Sequence, residues 1–142
     1  MKRTDHLALA EQLLDDCAYL VLAMTEADGT PYCVPLSPVR QGRELYFHCG
    51  RTGRKVDALR ANPRVCLSCV GRTKVLPGKF SLEYESVQAF GTAQEVTVES
   101  ERIEALRLIS EKLCPADMGG FQHALDRWLP ATGARYVWDT TV

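Results

Sequence analysis

The sequence predicts an α+β fold, mainly antiparallel β, in which six strands curl into a small barrel flanked by helices. Three features point there. Short apolar stretches alternate with a period of two, as where Leu45, Phe47 and Cys49 are set against Tyr46 and His48. The links between these stretches are brief and turn-rich, and brief links favour antiparallel neighbours. Helical patterns occur as insertions among the strands, without the strict strand–helix alternation of a doubly wound parallel sheet. The 142 residues read as one domain, residues 1–142, with enough chain for a hydrophobic core.

Taken in order, Asp5 is placed to cap a helix running to about Asp16, with Leu7, Leu9, Leu13, Leu14 and Cys17 on its apolar face. Tyr19–Thr25 is a largely buried strand, and Asp28-Gly29 suits a two-residue hairpin turn. The returning strand, Pro31–Arg40, carries prolines at 31, 35 and 38 that cannot donate to a ladder. It is therefore an edge or bulged strand, and an irregular edge leaves backbone groups free for a planar polar ligand. Gln41-Gly42-Arg43 turns the chain into the strand Glu44–Cys49.

A helix from about Gly53 to Ala61 turns Val56 and Leu59 inward and is stopped by Pro63. The strand Arg64–Val70 leads to a loop, Gly71–Lys79, with the composition of a mobile flap. Leu82–Val98 is a long strand, kinked or bulged at Gly91. Ser100 caps a helix with Glu101 and Glu104 in its first turn and Ile103, Leu106, Ile109 and Leu113 along one face, ended by Pro115. Ala116–Gly120 is a loop, Phe121–Leu129 a short helix and Ala134–Val142 a closing strand.

Hydrophobic residues at 46% and charged residues at 25% are ordinary for a soluble globular chain. A net charge of −1 gives no support to nucleic-acid binding as the main role. No apolar run approaches the ~18 residues of a membrane span. The start, Met1 to His6, leads into a segment interrupted by Glu11, Gln12, Asp15 and Asp16, unlike a signal peptide, so the cytoplasm is the expected location. The cysteines at 17, 33, 49, 66, 69 and 114 are then expected as reduced core thiols. Cys66-Leu67-Ser68-Cys69 matches C-x-x-C, but a strand points positions i and i+3 to opposite faces. No second pair completes a zinc site, so no metal centre is expected.

The most informative stretch is Leu45–Val70, which reads as strand, glycine-punctuated turn, short helix, proline stop and second strand. Gly50 and Gly53 flank the turn and allow positive φ and close approach of a ligand. The helix beginning there leaves its first amides unpaired and carries the positive end of its dipole. Arg51, Arg54 and Lys55 add formal charge at the same spot, which together describe a phosphate site. A Gly- and Arg-rich surface turn with no ligand would have the same composition.

Four segments now carry a resemblance: Val34–Val39, Leu45–Cys66, Tyr84–Ala93 and Glu104–Ile109. In that order they resemble the pyridoxamine 5'-phosphate oxidase-like flavoproteins, and within them the nitroimidazole-resistance branch, over about residues 10–115. The resemblance implies a split β-barrel and a homodimer with FMN at the subunit interface. It implies that the turn from Gly50 through Gly53 to Lys55 cradles the FMN phosphate, with Lys55 and Arg51 or Arg54 as charge partners. Backbone at Val34, Pro35, Leu36 and Ser37 would meet the isoalloxazine edge, and Ser86 and Val87 would approach from the long strand. His48 would stand beside the flavin. The chain departs from the pattern at Ser37, where many relatives have Asn, and in ending at Val142 without a Thr-Gly-Lys-type tail.

The function so implied is an FMN-dependent oxidoreductase that takes electrons from NAD(P)H to a small planar acceptor such as a nitro-aromatic. His48 is the candidate acid or base, since an ordinary imidazole titrates near ~6.5. The glycine-rich dinucleotide fingerprint is absent from the sequence, so a nicotinamide would come and go as a substrate. A non-catalytic flavin carrier, sensor or storage protein would use the same cradle. Haem binding, with His6, His48 or His123 as axial ligand, is a third reading.

Overall fold

The computed structural model describes the backbone of residues 3–129 and 136–141, and the side chains of residues 6–129. The elements are α1 (Arg3–Asp16), β1 (Leu20–Thr25), β2 (Pro31–Leu36), β3 (Val39–Gln41), β4 (Glu44–Cys49), α2 (Arg54–Ala61), β5 (Arg64–Leu76), β6 (Ser81–Glu95), α3 (Glu99–Leu113), α4 (Phe121–Trp128) and β7 (Tyr136–Thr141). All seven strands form one antiparallel sheet in the order β2-β1-β5-β6-β7-β4-β3.

The end strands of that sheet are consecutive in the chain. Only Ser37 and Pro38 separate β2 from β3, so the two edges are tied covalently and the sheet must curl on itself. The ladder of hydrogen bonds is interrupted where β2 meets β3, which makes the barrel a split one and bears out the α+β class. Six strand segments become seven because the buried Pro38, lacking an N–H and fixed in φ, divides the expected strand Pro31–Arg40. The three prolines do mark an edge, since β2 pairs with β1 alone.

Two apolar clusters lie on opposite faces of the sheet. The barrel interior holds Leu20, Leu22, Leu45, Phe47, Leu59 and Leu67, with Val56 and Ala58 sealing it from α2. The outer cluster packs Val39 and Tyr46 against Ala105, Leu106 and Ile109 of α3 and Leu125 of α4. Strand β4 serves both, which is the alternation expected of it. The Tyr46 hydroxyl lies 2.6 Å from Glu44 Oε2 and 3.0 Å from Glu101 Oε1. Burial first, and then these carboxylates, push the phenol well above its usual range.

Several boundaries differ from expectation. The segment Gly71–Lys79 is no loop, because β5 continues to Leu76 and pairs with β6 from Thr73↔Tyr84 to Leu76↔Ser81. The register shift lies between Val70 and Thr73, whereas Gly91 sits in register opposite Val65. The irregular Gly71-Arg72 is thus absorbed as a bulge inside a β-rich hairpin, closed by a 3-10 turn at Pro77–Lys79. The helix α3 begins at Glu99 after Val98, with no side-chain cap, so Ser100 falls inside the first turn. Likewise α1 starts at Arg3 and not after Asp5. Leu7 and Leu113, placed on apolar faces, are exposed. Residues 115–120 form a 3-10 helix where a loop was expected. The β1–β2 link uses a three-residue loop, with Glu26 N donating to Thr30 O and Gly29 at φ 89°. Of the expected strand Ala134–Val142, residues 134, 135 and 142 lie outside the described residues.

Candidate functional site

Four residues, Gly50 to Gly53, connect β4 to α2. Gly53 is the N-cap of α2 with φ 136° and ψ 173°, a conformation that is essentially glycine-only. A Cβ there would meet nothing within 4 Å, so the glycine is required by its backbone and leaves open space beside it. No side chain caps the helix, while Gly53 O accepts from Asp57 N at 3.0 Å to close the first turn. The amides that begin α2 therefore lack a preceding turn of helix to accept from them. Lys55 is half-buried, its Nζ 5.9 Å from the centroid of the buried Phe47 ring. Arg51 is exposed on the same turn.

Arg54 is drawn elsewhere. Its Nε donates to Glu26 Oε2 at 3.0 Å and its Nη2 to Glu26 Oε1 at 2.5 Å, while its guanidinium stacks 4.3 Å from the Tyr32 ring centroid. Both carboxylate oxygens of Glu26 are thereby used on Arg54. The hydrogen bond from Arg54 holds the Glu26 carboxyl below the usual carboxylate range, and Glu26 in turn raises the guanidinium. The pair clamps the start of α2 onto the β1–β2 hairpin. Sequence reading missed Glu26 as the partner because the contact spans 28 residues and no local pattern announces it.

The remaining expected contacts fall on three surfaces. Val34 and Leu36 turn toward the barrel core, whereas Pro35 is exposed along the free edge of β2 and Ser37 lies between β2 and β3. Ser86 and Val87 point to opposite faces of β6. Val87 packs against the core, and Ser86 sits opposite Val70 on the outer face, near Gln88. His48 faces away from the barrel interior, into a cavity of about 420 Å3 formed with α3, α4 and the 3-10 segment between them. Phe121 and Trp128 stand edge to face in that wall, with ring centroids 6.4 Å apart.

The cavity that His48 lines takes in none of the other expected contacts. Arg51, Gly53 and Arg54 of the turn and Pro35 of the β2 edge are exposed, while Val34, Ser37, Lys55 and Ser86 are half-buried. Among the described residues no group of His, Cys, Asp and Glu could hold a metal ion, and no helix is long and apolar enough to cross a membrane.

Comparison with known proteins bears on this arrangement. Among solved structures, the chain is similar to a candidate 5-nitroimidazole antibiotic resistance protein from Bacteroides thetaiotaomicron. That match has 20% identity and a TM-score of 0.74 over 99% of this chain and 80% of the other. It is similar to an FAD binding protein from Mycobacterium smegmatis, with 20% identity and a TM-score of 0.62 over 99% and 88% of the two chains. It is also similar to HutZ, a haem storage protein from Vibrio cholerae, with 14% identity and a TM-score of 0.68 over 99% and 90%. No curated sequence matches. At these identities the structures establish the shared fold. The sequence model described as pyridoxamine 5'-phosphate oxidase matches residues 8–128, most of the chain, and the chain belongs to that family.

Proposed function

We propose that the chain binds FMN at the interface of a homodimer and acts as an oxidoreductase, passing electrons from NAD(P)H to a small planar acceptor such as a nitro-aromatic. The observation that carries this reading is the start of α2. A glycine-only cap with open space beside it begins a helix that no side chain caps, Lys55 lies in its first turn, and those residues would suit a phosphate ester. FMN, when bound, supplies the redox chemistry, and the protein supplies binding, orientation and electrostatics.

In this reading Lys55 and the amides of α2 hold the phosphate, Arg51 adds charge from the turn, and Arg54 contributes from the position Glu26 assigns it. The unpaired edge of β2 from Val34 to Ser37 offers backbone groups to the ring system. Ser86 can offer its hydroxyl, while Val87, turned inward, can contribute backbone only. In the same reading His48, which lines a cavity, exchanges a proton at an imidazole nitrogen with a molecule bound there.

Two features support the dimer. The outer surface around Ser86 exposes Val70, Tyr84 and Phe90, with Val75, Phe80 and Leu82 farther along the same hairpin. Monomers rarely leave contiguous apolar surface of this kind uncovered. Among the expected contacts, Pro35, Arg51, Gly53 and Arg54 also lie exposed on one chain, as they would where a second chain completes the enclosure. The nitroimidazole and FAD descriptions of similar structures favour a flavin and a nitro-aromatic acceptor. The haem storage protein favours haem as the second reading.

A visible spectrum of the purified protein, with FMN added and then NADH or NADPH, tests the proposal. Flavin bands that bleach with the donor and recover with a nitro-aromatic are expected. Bound flavin that never turns over makes the protein a carrier or sensor, and a haem Soret band without flavin overturns the reading.

A further inference from the structure

We propose that Cys17 and Cys69 are a thiol pair that oxidises to a reversible disulfide, pinning the end of α1 to β5. The two cysteines are far apart in sequence and meet at one corner of the fold. Cys69 Sγ donates to Leu13 O at 3.7 Å, and the same oxygen accepts from Cys17 N at 3.1 Å. Cys17 Sγ donates to the next carbonyl, Leu14 O, at 3.2 Å. Both thiols therefore sit on consecutive carbonyls in the last turn of α1. Burial first, and then the neighbouring Cys17 thiol, push Cys69 up to about 11.

The C-x-x-C motif is not this pair. Cys66 lies on the outer face of β5 and Cys69 on the inner one, so the partner of Cys69 comes from α1.

Access suits the chemistry. Cys17 and Cys69 both line a cavity of about 430 Å3 between α1 and the β5–β6 hairpin, with Arg72 and Glu85 at its wall. Cys17 is partly exposed and Cys69 buried, which orders the steps. Lys112 Nζ donates to Leu14 O at 3.3 Å, and its charge lowers Cys69 only against the larger opposing effects of burial and Cys17. With hydrogen peroxide as the oxidant, the Cys17 sulfur attacks one peroxide oxygen. An S–O bond forms, the O–O bond breaks, and water leaves with the thiol proton, giving a sulfenic acid. The Cys69 sulfur then displaces that oxygen. The S–S bond forms, the S–O bond breaks, and a second water leaves with the Cys69 proton. Two thiols and one peroxide become one disulfide and two waters, and an added dithiol reverses the change.

The test treats the folded wild-type protein with hydrogen peroxide, blocks residual thiols, and maps non-reduced peptides by mass spectrometry. The expected result is a peptide pair joined through Cys17 and Cys69, lighter by two hydrogens and released by dithiothreitol. Cys17→Ser should abolish that pair, and Cys66→Ser should leave it. Oxidised protein without a Cys17–Cys69 link overturns the inference, whether the lesion stops at Cys17, joins other cysteines or is absent.

Discussion

At the scale of single residues, Gly53 and Lys55 carry the proposed phosphate contact by different means. Gly53→Ala places a side chain at φ 136°, and such strain costs about 1–3 kcal/mol, visible as a lower urea midpoint. Lys55→Ala removes one charge-assisted bond of about 1.5–3 kcal/mol, a fall of roughly 10- to 100-fold in FMN affinity, with the urea midpoint far less changed. Arg54→Ala should weaken FMN less than Lys55→Ala, because Arg54 is already committed to Glu26. That ion pair has a defined pH window. The folded carboxyl of Glu26 lies below its ordinary value of 4.5, so its contribution is present above that value and lost as pH falls through the depressed one. Stability of the wild type relative to Glu26→Gln should converge across that acid range. The glycine and the cations were legible in sequence because turn chemistry is local. Glu26 was not, since tertiary contact alone brings it to Arg54.

At the scale of elements, α1 lies against the bulge in β5. A Cβ at Gly71 would come within 2.2 Å of Leu13 Cδ2, and Leu13 is buried. Gly71→Ala must displace that side chain and should cost about 1–3 kcal/mol by chemical denaturation. Gly71 read as the start of a flap because glycine, proline and charge dominate 71–79. Its actual reasons are close approach of α1 and a bulge, while Thr73, Val75, Leu82 and Tyr84 supply the β-forming side chains of the hairpin. The alternation in β4 and the helix α2 were legible because their periodicity is strong. The caps of α1 and α3 were not, since polar residues near a helix start satisfy the same pattern inside the first turn.

At the scale of the whole molecule, the sheet closes through Ser37 and Pro38 while the β5–β6 hairpin presents apolar side chains outward. If a second copy covers that surface, Phe90→Lys should dissociate the dimer at least tenfold more readily in analytical ultracentrifugation and release FMN with it, while the monomer stays folded. An unaltered assembly would remove this face from the interface. The barrel itself was readable from strand number and short links. The sheet order was not, because β7 inserts between β6 and β4 from the far end of the chain.

The account rests on the β4–α2 turn recognising a phosphate, and the most direct measurement compares FMN with riboflavin, which differs by that group alone. Fluorescence titration of the flavin-free protein should show FMN binding about a hundredfold or more tighter than riboflavin, as two charge-assisted bonds require. Equal affinities, or binding of neither, would contradict it.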